Sequence, residues 1–430
     1  MHQRKNGLIR ASLSGAMVLA VCFMVSIAQA ATTVQVGSCV TGLTSYATIG
    51  AAVSAVAADT TIDVCPGTYP EQVVIKKRLT LTGVQSGSSA AAVVVPPSSG
   101  LVANVYDIYG DHNAVQIAVL DAASVTISNL TVDGSGNGLS GCGTDIQGIY
   151  FQNSTGTISN NAVRNQILTG SDLGCQDGLA INVESNGGTP AVTIKDNSVR
   201  NYQKNGITAS GLGSGAPGPK VTVTGNTVIG IGATPAIAQN GIQIGFGATA
   251  KVTDNYVADD VYTGGYWASS GILIYASAGV TASSNTAESA QYSITTDSDP
   301  TYGVADGATI SSNHIGGGDD AIDLCSNNNS ATSNTVYGST QDGIHSDDTC
   351  SSGAVVSGNN NTITGNTINE ACAGILLGTG TGTTSSPNTF YNVTNTTLAG
   401  DACPAATGEA KASGSSHKAL RPSPRGPNRN

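Results

Sequence analysis

Two short strings alternate along residues 145–380 of this 430-residue chain, one centred on Asn and the other on Gly-Ile or a close variant. Successive Gly-Ile strings lie between 22 and 35 residues apart. An internal period in this range is typical of a solenoid, whose single coils cannot bury an apolar face alone. The repeated Asn residues are Asn161, Asn197, Asn226, Asn255, Asn285, Asn313, Asn334 and Asn366.

Both strings predict strands, because their apolar residues alternate with polar ones and are bounded by Gly, Asn, Ser and Thr. They contain no sustained 3.6-residue period, which excludes a helical solenoid. A propeller blade needs four strands, more than a 22-residue coil can hold. The 55 glycines and the 4% aromatic content suit stacked turns and small side chains. The predicted fold is all-β, a single-stranded parallel β-helix with two strand signatures in each coil.

The N-terminus has the pattern of a secretory signal peptide over residues 1–30. Basic residues precede an apolar run at 16–27, and Ala-Gln-Ala follows at 28–30. We therefore expect a secreted or periplasmic protein that has no membrane attachment after cleavage. A retained membrane anchor is the alternative.

The rest of the chain is predicted to be one elongated domain. Residues 31–100, which include a short helical stretch near Ile49, are predicted to form an N-terminal cap and the first coils, and residues 101–404 the remaining coils. Residues 405–430 are rich in Ser, Pro, Arg and Asn without an apolar period, so we expect a disordered tail. We expect a monomer.

Eight cysteines remain after signal cleavage, and an even number in an exported chain predicts disulfide bonds. The sequence does not select among the possible pairings. The hypothesis adopted is that nearest neighbours pair, as Cys39–Cys65, Cys142–Cys175, Cys325–Cys350 and Cys372–Cys403.

The chain between the signal and the tail is strongly acidic. Residues 31–408 hold nine basic and 27 acidic residues. Nucleic acid is an unsuitable partner, because its binding depends on neutralising phosphates. An anionic polysaccharide would also be repelled unless a divalent cation bridged it.

When the coils are aligned on the Gly-Ile string, titratable side chains gather on one outward face of three consecutive coils. Equivalent positions in adjacent coils lie about 4.8 Å apart, so Asp323 and His345 are predicted to be stacked neighbours. Closely spaced carboxylates can hydrolyse a glycosidic bond, one as an acid and another as a base. Turn formation and calcium ligation are the alternatives, and no other cofactor is expected. The cluster comprises Asp297, Asp319, Asp320, Asp323, Asp342, His345 and Asp347.

Aromatic residues precede this cluster, in an insertion at 259–270 and on the strand that follows it. Rings in a Gly-rich loop can stack on sugars. We predict that the aromatic residues, with Asp297 and Asp347, bind a polysaccharide; the alternative is a loop folded back to cover a sheet. The rings are Tyr262, Tyr266, the only tryptophan, Trp267, and Tyr275.

Two segments resemble known families. The stretch 49–82, with its Gly-Thr-Tyr-x-Glu string, resembles the opening of secreted pectin-lyase-like proteins, which implies right-handed coils. The string GGGDDAIDL at 316–324 resembles the Gly-Asp-Asp motif of polygalacturonases, inverting pectin hydrolases of the same fold. That resemblance implies that Asp319 and Asp320 are catalytic. The chain departs from the polygalacturonase pattern by having Tyr292 and Asp342 where that family has Asp and His.

Two hypotheses for function follow. The first is a secreted carbohydrate-active protein that binds, and as an enzyme hydrolyses, a polysaccharide through Asp319, Asp320, Asp342, Asp323 and His345. The second is a non-catalytic surface or adhesive solenoid, in which the same acids are structural or bind calcium. The fold alone does not choose between them.

Overall fold

A computed structural model describes residues 32–85, 92–213, 215–265, 267–347, 358–399 and 421–422. In these ranges the chain winds into a right-handed parallel β-helix, which confirms the predicted fold class. One α-helix, Ile49–Ala55, lies near the N-terminal end, where the hydroxyl of Thr48 accepts a hydrogen bond from the N–H of Ala51 and caps it.

Ten coils each contribute a strand to each of three stacks, and the first stack has three further strands: Ser45–Tyr46, Thr33–Val36 and Thr362–Thr364. The first stack has, in spatial order, Ser45–Tyr46, Thr33–Val36, Thr60–Val64, Leu79–Gly83, Val125–Ser128, Gly156–Ser159, Ala191–Lys195, Lys220–Thr224, Thr249–Thr253, Thr281–Ser283, Thr309–Ser311, Ser330–Thr332 and Thr362–Thr364. The second has Gly67–Pro70, Ala92–Val95, Leu130–Asp133, Ala162–Arg164, Ser198–Arg200, Thr227–Thr234, Tyr256–Tyr262, Thr286–Glu288, His314–Gly316 and Thr335–Tyr337. The third, which we call the cleft sheet, has Val73–Ile75, His112–Leu120, Asp145–Gln152, Leu179–Glu184, Asn205–Ser210, Asn240–Gly245, Ser270–Tyr275, Tyr292–Asp297, Asp320–Cys325 and Asp342–Ser346.

A few elements lie outside this regular pattern. Thr367–Leu377 pairs with strands of both the second stack and the cleft sheet, and Thr389–Ala399 pairs with it. Val105–Tyr106 is antiparallel to the strand that begins at His112. The remaining elements are Trp267–Ala268, its partner Arg421–Pro422 and the 3-10 helix Gly170–Gly174.

The prediction of two strands in each coil was wrong, because the Asn-centred string spans two strands and the corner between them. Lys220–Thr224 and Thr227–Thr234, for example, are separated only by Gly225 and Asn226. The residue before each of the eight repeated Asn residues has a positive φ, which turns the chain sharply without breaking the apolar alternation on either side. These residues are Asn160, Asp196, Gly225, Asp254, Ser284, Ser312, Ser333 and Gly365.

The buried Asn residues at these corners form a continuous ladder along the axis. Each Nδ2 donates to Oδ1 of the Asn in the next coil at 2.9–3.0 Å, and each also donates to a carbonyl of the preceding coil, as Asn255 does to Val223. The predicted Asn series is therefore a structural ladder, and it extends one residue further, to Asn388. Because these amides are buried, every bond in the ladder also satisfies a group that water does not reach.

The interior of the helix is filled by aliphatic residues from all three stacks. The inward position of the Gly-Ile string repeats from coil to coil with no exposed surface. The residues at this position are Ile149, Ile181, Ile207, Ile242, Ile272, Ile294, Ile322, Ile344 and Ile375.

Two of the predicted disulfide bonds, Cys39–Cys65 and Cys142–Cys175, are confirmed. Cys325 and Cys372 are also disulfide-bonded, whereas Cys350 and Cys403 lie outside the described residues. Disulfide bonds are typical of oxidising compartments. The predicted signal peptide, and the predicted tail apart from 421–422, also lie outside the described residues. Within the described part of the chain, no helix has the length and apolar character needed to cross a membrane.

Replacing Asn255 by Ala should lower the stability of the helix. The change removes the acceptor of the Asn226 backbone N–H and one bond each from Asn226 Nδ2 and Asn285 Oδ1. A buried donor left unsatisfied costs about 1–3 kcal/mol. Urea unfolding followed by circular dichroism should show a lower midpoint. The exposed Asn186→Ala is the control, and equal midpoints for the two variants would show that the ladder does not stabilise the stack.

Candidate functional site

Acidic side chains gather along three adjacent strands of the cleft sheet and in the residues that flank them; the strands are Tyr292–Asp297, Asp320–Cys325 and Asp342–Ser346. Tyr292 pairs with Asp320, and Asp323 pairs with His345, as the alignment of the coils predicts. The cluster is well covered: Asp297, Asp320, Asp323, Asp342 and Asp347 are each at most 5% exposed.

A local irregularity places residues three apart on the same face of these strands. In a regular strand, residues two apart share a face. Here the backbone pairing between strand Asp342–Ser346 and the next strand skips Gly343, and His345 Nδ1 lies 3.9 Å from Asp342 Oδ2. At the skipped Gly343, a Cβ would lie 2.6 Å from the carbonyl oxygen of Gly374, so a side chain does not fit. Each coil therefore presents two cleft residues, such as Asp342 and His345, side by side.

His345 joins the carboxylates of two coils. Its Nδ1 lies 3.8 Å from Asp320 Oδ2 and 3.9 Å from Asp342 Oδ2. The backbone N–H of Asp342 donates to Asp320 Oδ1 at 3.2 Å. One carboxylate oxygen of Asp320, one of Asp342 and a ring nitrogen of His345 all lie within 4.8 Å of one another. The structure thus brings together three of the predicted catalytic residues.

A second group shares the same histidine. Carboxylate oxygens of Asp323 and Asp347 and a nitrogen of His345 also lie within 4.8 Å of one another. The Sγ of the disulfide-bonded Cys325 lies 3.6 Å from Asp323 and 3.7 Å from Asp347. Four carboxylates therefore surround one imidazole.

The titratable side chains of the cluster differ in pKa because their burial and neighbouring charges differ. Burial, together with the charge of Asp320, raises the pKa of Asp342 to about 7. Burial and the charge of Asp347 raise the pKa of Asp323 well above its usual range. Burial alone would lower the pKa of His345, but the hydrogen bond with Asp320 and the charges of Asp347, Asp320 and Asp323 outweigh it and raise that pKa to about 10. The site therefore combines a histidinium with carboxyl groups that hold protons near neutral pH.

Tyr292 lies beside Asp320 in the preceding coil and is 7% exposed. Burial and the charges of Asp320 and Asp323 raise the pKa of its phenol well above the usual range. Tyr292 therefore remains a neutral hydrogen-bond donor at the position where the polygalacturonase pattern has an acid.

Asp319 lies at the corner before the cleft strand and is more accessible than Asp320. Thr340 Oγ1 donates to it at 3.0 Å, and Gln291 Nε2 at 3.4 Å. The preceding Gly317 and Gly318 both have positive φ, and a Cβ on Gly318 would lie 2.3 Å from the carbonyl oxygen of Ala290. The GGGDD string is therefore required by the backbone that orients Asp319 and Asp320.

The contacts of Asp319 belong to a second polar ladder, which the sequence interpretation missed. Ser269 Oγ accepts from the N–H of Gln239, and the N–H of Ser269 donates to Gln291 Oε1 at 3.0 Å. Gln291 then reaches Asp319 in the next coil. The sequence signal is the polar residue just before each Gly-Ile string, at positions 239, 269 and 291.

The predicted aromatic residues lie in different surroundings. Trp267 is 40% exposed and lies two residues before Ser269 of this ladder, and Tyr262 is half-buried. Tyr275 is only 4% exposed; it packs against Phe246, and its hydroxyl donates to Asp299. Tyr266 lies outside the described residues. Asp297 pairs with Tyr275, one coil before Cys325.

The two groups around His345 have donor atoms that suit a divalent cation. Carboxylate oxygens and an imidazole nitrogen are ligands for manganese or zinc, whereas calcium prefers oxygen alone. Among the described residues, none donates a hydrogen bond to the buried Oδ1 of Asp342, which is therefore available as a ligand or as a proton carrier. A cation at His345 would have to displace the proton of the imidazole.

Residues 179–390 match the protein family described as "Right handed beta helix region". The chain also resembles the GH136 lacto-N-biosidase from Eubacterium ramulus, with a TM-score of 0.58 and 10% identity over 84% of this chain and 68% of that one. Two further similar structures are the Dettilon tailspike protein (TM-score 0.49, 17% identity, 78% and 62% covered) and a family 28 exopolygalacturonase from Yersinia enterocolitica (0.44, 13%, 86% and 78%). No curated protein sequence matches this chain. The protein is a right-handed parallel β-helix.

His345 should remain protonated throughout the neutral range. Its pKa of about 10 lies above its usual 6.5, so the stability that its charge contributes is fully present below pH 6.5 and is lost as the pH rises through about 10. NMR signals of the ring, assigned with His345→Gln and recorded in EDTA, should stay at imidazolium positions between about pH 5 and 8, with only a small shift near pH 7 as the neighbouring Asp342 titrates. In Asp320→Asn the midpoint should fall; a midpoint near 6.5 in the native protein would contradict this geometry.

Proposed function

We propose that the protein is an exported glycoside hydrolase whose site is the Asp320–Asp342 pair. The observation that supports this most directly is the approach of the two buried carboxylates to within 4.8 Å, in unequal environments. Glycosidic bond hydrolysis needs such a pair, one member protonated and the other ionised. Asp342 has a pKa of about 7 and supplies the acid.

In this mechanism, Asp342 gives its proton to the glycosidic oxygen as the bond from C1 to that oxygen breaks. Asp320, oriented by the N–H of Asp342 and by His345, attacks C1 and forms a glycosyl ester. Water then attacks C1, Asp342 takes up a proton from it, and the ester bond to Asp320 breaks. His345 acts as a positioning residue, because its ring holds Asp320 and Asp342 at similar distances.

The carboxylate separation favours retention of the anomeric configuration. Retaining enzymes hold their carboxyl groups about 5–5.5 Å apart, whereas inverting enzymes leave about 6.5–9.5 Å for a water. The polygalacturonase-like alternative pairs Asp319 with Asp320 and implies inversion. Asp319 is instead hydrogen-bonded by Gln291 and Thr340 at the corner, so we place it at the edge of the site.

The substrate class is a neutral polysaccharide. A chain with 27 acids against nine bases over residues 31–408 would repel a uronic polymer. Trp267, exposed beside the ladder that leads to Asp319, is a stacking surface for a sugar ring. The lacto-N-biosidase has the same fold, but a shared fold alone does not carry an activity.

Replacing either member of the carboxylate pair should abolish hydrolysis. In Asp320→Asn and in Asp342→Asn, kcat for the release of reducing ends from a neutral polysaccharide should fall at least about 100-fold. The rate of the native enzyme should also fall as the pH rises through about 7, because Asp342 then loses the proton it donates.

Asp121→Asn is the matched control, because Asp121 is an exposed acid at a positive φ, which Asn tolerates. Full activity of Asp320→Asn would place the reaction elsewhere. No release from any neutral or uronic polymer by the folded native protein would exclude a hydrolase.

A second candidate function is a non-catalytic solenoid in which the same acids bind a divalent cation. The two groups that share His345, and the buried Oδ1 of Asp342, favour it. If this function is correct, calcium or manganese should raise the melting temperature relative to EDTA, because a ligand at 100 times its Kd stabilises the folded state by about 2.7 kcal/mol.

The cation test uses Asp347→Asn, which removes one ligand, beside Asp121→Asn as the control. The second candidate predicts that only Asp347→Asn loses the shift. Equal melting temperatures with cation and with EDTA would exclude it.

A further inference from the structure

The outer face of the second stack carries an ordered group of side chains that do not belong to the acidic cluster. We call it the tyrosine platform, and it comprises Tyr256, Glu288, His314 and Tyr337. Tyr256, Thr286 and His314 occupy equivalent positions in successive coils. Glu288, Gly316 and Tyr337 form the adjacent column, two residues further along each strand. The platform therefore spans four coils on a different sheet from the acidic cluster.

Two tyrosine hydroxyls converge on one carboxylate. Tyr256 donates to Glu288 Oε2 at 3.0 Å, and Tyr337 donates to Glu288 Oε1 at 2.9 Å, from opposite directions along the axis. Bonds this close to solvent contribute little to folding stability. Their main effect is to fix the position of both rings.

Tyr337 lies flat against the sheet because Gly316 leaves room for it. A Cβ at Gly316 would lie 2.4 Å from Cζ of Tyr337 and 2.5 Å from its hydroxyl oxygen. The ring of His314 lies 5.0 Å away, tilted by 44°. One face of Tyr337 therefore rests on backbone while the other is turned away from the sheet, next to an exposed imidazole.

The aromatic surface continues along the axis. Tyr337 pairs with Asn369, which pairs with Tyr391, and Tyr391 is 56% exposed. Tyr391 therefore occupies the position equivalent to Tyr337 two coils further on, and their backbones are about 9.6 Å apart along the axis. Tyr256, at the opposite end, is 36% exposed. Rings at intervals of this kind fit an extended chain that lies parallel to the helix axis.

We propose that the tyrosine platform is a binding site for a neutral glycan chain, separate from the acidic cluster. Aromatic faces pack against the C–H face of a pyranose ring. Glu288 keeps a free lone pair on each oxygen and can accept a bond from a sugar hydroxyl. Near Tyr256 the surface carries the negative charges of Glu288 and Asp259 beside the positive charge of Arg200, and this excess of negative charge disfavours uronic or sulfated chains.

The experiment measures binding in the Asp320→Asn background, so that no polymer is degraded. The probes are soluble neutral polysaccharides (a β-glucan, a galactan and a xylan) and polygalacturonate, each in affinity electrophoresis. We expect Tyr337→Ala to weaken binding of a neutral polymer about tenfold, which is about 1.4 kcal/mol. Tyr337→Phe, which keeps the ring but loses the bond to Glu288, should bind with an intermediate affinity.

Thr335→Ala is the matched control, because Thr335 is exposed on the same strand and the same face. Melting temperatures equal to the parent's would show that the variants fold. Unchanged affinity of Tyr337→Ala for every neutral polymer that the parent binds, no binding of any neutral polymer by the parent, or preference for polygalacturonate would each overturn the proposal. Because the experiment measures binding without hydrolysis, it can disprove glycan binding at the tyrosine platform without bearing on the proposed hydrolase activity.

Discussion

The buried Asn ladder is the interaction on which the rest of the structure depends. A β-helix lacks the knobs-into-holes packing that sets register between helices, and its aliphatic interior would tolerate a slip of one coil against the next. The amides do not tolerate it, because each Asn must donate to the neighbouring Oδ1 and also to a carbonyl of the preceding coil. With register fixed in this way, side chains in successive coils occupy defined positions, and the acidic cluster can exist.

The properties of the cluster depend on the different surroundings of two similar carboxyl groups. Asp320 and Asp342 are both buried aspartates one coil apart, yet the N–H of Asp342 reaches Asp320 while no described residue donates to Asp342 Oδ1. The histidinium of His345 lies between them and balances part of the negative charge. In a stack of similar coils, a reactive site therefore forms only where consecutive coils carry different side chains at their two outward positions.

The sequence predicted the parts that follow the coil period. Asn161 to Asn366, the inward isoleucines and the pairing of Asp323 with His345 are examples, because alignment on the Gly-Ile string sets their register. The division of the Asn string into two strands was missed, since the corner breaks no apolar alternation. The contacts of Asp319 with Gln291 and Thr340, and the packing of Tyr275 against Phe246, depend on corners and loops of variable length that have no period to align. The catalytic and binding roles of these residues remain predictions.

The ladder also has a direction. From Asn161 to Asn366, each Nδ2 makes its side-chain bond to the Asn of the next coil toward the C-terminal end, so the carboxamide dipoles add in series and polarise one another, as peptide dipoles do in an α-helix. Its first acceptor, Asn161 Oδ1, receives the N–H of Leu130, and its last donor, Asn388 Nδ2, is held by the carbonyls of Ile363 and Ser385. Both ends of the array are therefore bonded to backbone groups of the chain itself.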